Sequence, residues 1–152
     1  MSERLSIPIV VLENGEGLAF PSYQTPHSAG MDLRAAIQDD LVLKSRVPTL
    51  VPTGVSLAIP NGYEGQIRPR SGWALRHGIC VPNSPGTIDS DYRGEIKVIL
   101  MNLSDDDFTI SRGMRIAQLV ISPVVQAKLH VVTSLDNTQR GSGGFGSTGK
   151  GS

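Results

Sequence analysis

Five short stretches of the chain hold residue types that could handle phosphate, a divalent cation or a reacting water. Residues 29–36 (AGMDLRAA) place one acid, Asp32, inside an otherwise strand-like run. Residues 68–75 (RPRSGWAL) set Arg68 and Arg70 just ahead of Ser71 and Gly72. If a helix starts there, its free N–H groups and dipole favour an anion, and a guanidinium fork beside them completes a phosphate seat. Residues 83–97 (NSPGTIDSDYRGEIK) open as a turn and close as a strand, which predicts a β-hairpin carrying Asn83, Asp89, Asp91 and Tyr92 on a tight loop. Residues 112–119 (RGMRIAQL) put the polar Gln118 in the middle of an apolar strand, and residues 140–149 (RGSGGFGSTG) join Arg140 and Phe145 to a run of glycine, serine and threonine. Backbone N–H groups in such a run can cradle phosphate oxygens, and a phenylalanine can stack on a base. Each stretch also has an ordinary structural use: a solvent-facing strand acid, a capped helix with surface arginines, turn aspartates, an outward strand glutamine and a disordered tail.

The elements that must carry these residues read as short strands. Leu41 and Leu43 alternate with their neighbours, as do Val55, Leu57 and Ile59, and Ile96, Val98, Leu100 and Leu103 form a further run. Residues 116–121 and 129–132 read as near-continuous apolar strands. Short strands separated by Gly, Pro, Asn and Asp predict an all-β sandwich or barrel. Pro8, Pro48, Pro52, Pro69 and Pro123 then fall at edges or strand ends. One short helix is expected, capped by Ser71, built from Trp73 to His77 and ended by Gly78. The division is a β-rich domain over 1–136 and a glycine-rich arm over 137–152, which holds six glycines, no acid and Phe145 as its one large apolar residue.

Composition narrows the function classes. The 152 residues carry 14 basic and 14 acidic side chains, so no broad field for nucleic acid or anionic membrane is expected. Ten of the basic residues are arginine, the better fork for bidentate phosphate contacts. The lone Cys80, in an apolar run, reads as a small buried side chain, and the three histidines lie too far apart for zinc-ligand spacing. The apolar run at 7–12 is too short to cross a membrane and lacks a signal-peptide layout, so a cytoplasmic protein is expected.

Taken together and in order, the five stretches resemble the five motifs of the trimeric deoxyuridine triphosphatase (dUTPase) family, over roughly residues 25 to 149. The 83–97 segment is the most specific match and the glycine-rich tail the next. Trp73 stands where smaller aliphatics are common, and Met114 where an acid is common. The resemblance implies a jelly-roll-like β-sandwich or barrel with one short helix and a flexible C-terminal arm that closes the site. It implies hydrolysis of dUTP to dUMP and pyrophosphate by water attack on the α-phosphorus, with Mg²⁺ as cofactor. It makes Asp89 the general base and Asp32 the acid that holds the metal, through water. Arg70, Ser71, Gly72 and Gln118 would seat the phosphates. Asn83, Thr87, Ile88 and Lys97 would read the uracil, and Tyr92 would lie under the deoxyribose and exclude a 2′-hydroxyl. Arg140, Ser147 and Thr148 would close over the γ-phosphate, with Phe145 over the base. It also implies a homotrimer whose sites are shared between subunits. A dCTP deaminase on the same scaffold and a non-catalytic nucleotide-binding module are the competing readings; zinc deamination is excluded by the absence of H-x-E and C-x-x-C elements.

Overall fold

The computed structural model describes residues 5–145. Among these residues, eleven strands and one α-helix make up the regular structure, with a single 3₁₀ turn at Glu13–Gly15. The strands are β1 (Ile9–Val11), β2 (Met31–Arg34), β3 (Leu41–Leu43), β4 (Thr49–Pro52), β5 (Val55–Leu57), β6 (Tyr63–Arg68), β7 (Ile79–Cys80), β8 (Gly86–Ile88), β9 (Lys97–Asn102), β10 (Phe108–Ile110) and β11 (Arg115–Pro123). The helix α1 spans Ser71–His77. All ladders between these strands are antiparallel, in the orders β2-β11-β6-β8, β4-β9-β7, β1-β5 and β10-β3. This is the expected all-β, jelly-roll-like architecture.

Side-chain alternation puts one face of each ladder inside. In β9, Val98, Leu100 and Asn102 are buried while Lys97 points out. Leu33, Leu43, Val51, Leu57, Ile67, Ile79, Val98, Leu100, Ile110, Ile116 and Leu119 come from nine different strands and meet in one core. Each such side chain contributes about 1.5–3 kcal/mol on leaving water. Asn102 is the fully buried polar exception, and its amide donates to the carbonyls of Leu43 and Asp106 while its oxygen accepts from Ser104.

Four expectations need correcting. Ser71 is the first residue of α1 and not its cap; Arg70 holds the N-cap position, with no side-chain cap bond, because the preceding Pro69 ends β6 so close to the helix. The C-terminal expectation at Gly78 holds, at a left-handed φ of 64°. Residues 83–97 do not form a paired hairpin: β8 pairs with β6 and β9 pairs with β4 and β7, so the segment crosses between sheets. Residues 129–132 are not a strand; Leu129, Val131 and Val132 are exposed, since no sheet edge of the described chain takes them up. Cys80 lies in β7 but is only half-buried. Among the described residues the last strand ends at Pro123. Trp73 finds its packing on Phe108, with ring centroids 5.1 Å apart in an edge-on arrangement. Among the described residues no helix is long and apolar enough to cross a membrane.

Candidate active site

Two concavities hold most of the chemically capable residues. The first is built by the central ladder. Gln118 of β11 is in register with Asp32 of β2 on one side and with Arg68 of β6 on the other. Pro69 breaks β6 immediately after Arg68 and turns the chain into α1, which brings Arg70, Ser71 and Gly72 to the same place. The resulting cleft is lined by Gly30, Asp32, Arg70, Ser71, Arg115 and Gln118, with Gln24 and Ser28 at its edge.

Asp32 is the charge centre of this cleft. Its side chain is only 14% exposed; Oδ1 lies 3.4 Å from Arg70 Nε, and Oδ2 lies 3.2 Å from Arg115 Nη1. Arg70 also donates to the carbonyl of Arg115 at 3.0 Å, which ties the helix start to β11. Gln118 donates from its amide to the carbonyl of Pro69 at 3.0 Å. Two cations on one carboxylate leave a net positive cleft, and the first-turn N–H groups of Ser71 and Gly72 have no acceptor inside the helix. The arrangement suits a polyanion. Asp32 and Gln118 are therefore not the solvent-facing side chains that strand position alone would suggest.

Arg115 is the residue that sequence reading missed. It lies in the quoted 112–119 stretch, but its meeting with Asp32 spans 83 positions and depends on the β2–β11 register. Gly30 is a second omission. A Cβ there would stand 2.3 Å from Gln118 Oε1 and 3.2 Å from Gln118 Cβ, so the glutamine lies flat on the glycine. Gly30→Ala is expected to push the amide off Pro69 and lower kcat/KM by about 10–100-fold, the scale of an ångström's misplacement. Steady-state kinetics on a protein of near-normal melting temperature would check this.

The second concavity lies where β8 runs into the crossing segment. Thr87, Ile88, Asp89, Tyr92, Glu95 and Lys97 line it, with Leu50. The ladder of Gly86, Thr87 and Ile88 on β6 fixes its base. A turn closed by Tyr92 N–H donating to Asp89 O at 3.1 Å forms its lip. Asp89 is exposed and its carboxylate makes no hydrogen bond among the described residues. Asp89 and Thr87 also face a larger open concavity bordered by Tyr63, Glu64, Asp91 and Arg93. Asn83 is exposed, folds over Gly86 and does not line the second concavity.

The structure thus gathers Asp32, Arg70, Ser71, Gly72 and Gln118 in one cleft, and Thr87, Ile88, Asp89, Tyr92 and Lys97 in another. The two clefts have no residue in common. Arg140 and Phe145 are exposed and line neither; Arg140 Nε donates instead to Gly143 O at 2.9 Å. Ser147 and Thr148 lie outside the described residues.

Fold and clefts define a jelly-roll-like β protein with a cationic, carboxylate-centred anion cleft. The dUTPase family model matches residues 17–149. The deoxyuridine 5'-triphosphate nucleotidohydrolases of Brucella melitensis and Rhizobium etli are 59% and 56% identical, over 95% and 96% of this chain and 93% and 95% of theirs. The dUTPase of Staphylococcus bacteriophage 80alpha, solved with dUPNHPP, superposes with a TM-score of 0.84 at 26% identity, covering 95% of this chain and 99% of that one. The chain belongs to the dUTPase family.

Proposed function

We propose that the chain hydrolyses dUTP to dUMP and pyrophosphate, limiting uracil in DNA and supplying dUMP for thymidylate synthesis. The observation that carries this reading is the first cleft, where Asp32, Arg70, Ser71, Gly72 and Gln118 converge from three separated segments in a chain of this family. Relatives named for the same hydrolysis support it over most of the chain's length.

Asp89 orients a water and takes its proton as the water oxygen attacks the α-phosphorus. The bond from that phosphorus to the bridging oxygen breaks, and pyrophosphate leaves with the electron pair. Arg70 and Gln118, with the first-turn N–H groups at Ser71 and Gly72, hold the phosphate chain, so their charge is already aimed where it develops. Mg²⁺ brought in with the triphosphate would supply charge neutralisation, and Asp32 is the residue that would hold it. The donor set fits this use. Among the described residues no group of three His, Cys, Asp or Glu could cage a metal, whereas magnesium binds with one carboxylate, substrate phosphates and several waters.

Thr87, Ile88 and Lys97, with Asn83 beside Gly86, read the uracil edge; cytosine would leave polar groups unpaired once the bound base covers them. Tyr92 lies under the deoxyribose and crowds out a 2′-hydroxyl. Arg140, Ser147 and Thr148 close over the γ-phosphate, with Phe145 on the base.

The site is completed in a homotrimer: the Asp32–Arg70–Gln118 cleft from one subunit, the 83–97 segment from a second and the arm from a third. The separation of the two clefts within one chain supports this division. Pyrophosphate release from dUTP with magnesium is the primary test. Arg70→Ala and Asp89→Ala chains, each inactive alone, should regain turnover when unfolded together and refolded as mixed trimers. A monomer that still turns over dUTP, or mixed trimers that stay inactive, would refute the shared site.

A further inference from the structure

We infer that Gly94 and Glu95 are positioning residues for Tyr92, and that through it they set discrimination between deoxyribose and ribose. This rests on the reading of Tyr92 as the sugar gate. Tyr92 is exposed at the lip of the second concavity, where an unsupported ring would rotate among its rotamers. Two local contacts prevent this. The phenolic hydroxyl donates to the main-chain carbonyl of Glu95 at 2.9 Å. The ring also lies directly on Gly94: a Cβ there would stand 2.4 Å from the hydroxyl oxygen, 2.6 Å from Cζ and 3.0 Å from Cε2. Gly94 is outside the left-handed region, so the missing side chain serves the ring and not the backbone.

The carbonyl that receives Tyr92 is itself anchored. Glu95 Oε1 accepts from Asn14 Nδ2 at 2.7 Å and from Gly54 N–H at 2.9 Å. Gly54 is pressed against Gly15 so closely that a Cβ on it would fall 2.3 Å from Gly15 Cα. The next residue, Ile96, is fully buried and accepts from both the N–H and the hydroxyl of Thr53. A line of contacts therefore runs from the Gly15–Gly54 crossing, through the Glu95 carboxylate and carbonyl, to the Tyr92 hydroxyl. With its proton committed to Glu95 O, the hydroxyl acts as a tether, and the ring is what the sugar meets.

The test is the ratio of kcat/KM for dUTP to that for UTP, in single variants and in a Tyr92→Ala background. Glu95→Ala should lower the ratio by about tenfold, within the range a misfitted pocket loses. Glu95→Gln keeps an acceptor for Gly54 and should restore the ratio. Gly94→Ala should raise KM for dUTP with little change in kcat, because the displaced ring intrudes on binding. Both effects should vanish when Tyr92 is already alanine. If Tyr92→Ala leaves the ratio unchanged, the gate reading fails and this inference with it. If Tyr92→Ala lowers the ratio but Glu95→Ala does not, the positioning claim alone fails. It also fails if the Glu95→Ala effect persists without the tyrosine, which would point to Lys97, 3.7 Å from the same carboxylate.

Discussion

Asp89→Ala is expected to lower kcat for dUTP by roughly 10²–10⁴-fold, the range a positioned general base supplies, with the melting temperature nearly unchanged. The two halves of that expectation have separate causes. The carboxylate is exposed and makes no hydrogen bond among the described residues, so its removal leaves no buried partner stranded. Substitutions of that kind fall within about 0.5 kcal/mol of neutral. Its main-chain carbonyl, which accepts from Tyr92 N–H and holds the turn, survives the change. The lost rate therefore reports the carboxylate's own work on the water. Asp89→Asn divides that work: an amide can still orient a water but cannot take its proton. If Asn retains most of the activity, orientation suffices and the base role is wrong. If Ala stays within tenfold of the native rate, the water is activated elsewhere.

The placement of Asp89 shows what was legible before the structure and what was not. Alternation at Leu41–Leu43, Val55–Leu57 and Ile96–Leu100 marks β3, β5 and β9, because a half-buried strand writes its two faces into successive residues. Gly78 marks the end of α1 because only a left-handed residue closes a helix that sharply. Partner choice leaves no such local record. The turn signals of residues 83–97 are those of a hairpin, yet β8 and β9 join different sheets, and nothing within fifteen residues encodes Gly65 or Leu50 as the partner. The same limit hid Arg115, whose ion pair with Asp32 arises from ladder register. Apolar content misled at residues 129–132, since a strand needs an edge to pair with as well as the right composition. Motif order picked out the residues that gather in the two clefts; composition and spacing do not record which cleft each joins, because that is a property of where sheets end.

The exposed C-terminal segment makes the second large prediction. From Val124 onward the described chain has no strand or helix, and Val125, Leu129, Val131, Leu135 and Phe145 are exposed. A chain ended after Gln139 thus forfeits almost no burial within the chain, and its far-ultraviolet spectrum and oligomeric state should match the full-length protein. Its turnover should not. Arg140, the arm's only cation up to residue 145, bonds among the described residues just to its own turn through Gly143 O, which leaves its charge open to a ligand there. If the arm supplies that charge and the Phe145 ring to a bound nucleotide, deletion should cost on the order of 10²–10³-fold in kcat/KM, the scale of removing a preorganised transition-state donor. Arg140→Ala in the full-length chain should reproduce most of the loss in kcat, and Phe145→Ala should act mainly on KM. That split matters because simple truncation damage would not separate the two constants. A truncated protein with normal kinetics would reduce the arm to a tail and leave the two clefts to bind and cleave the substrate unaided.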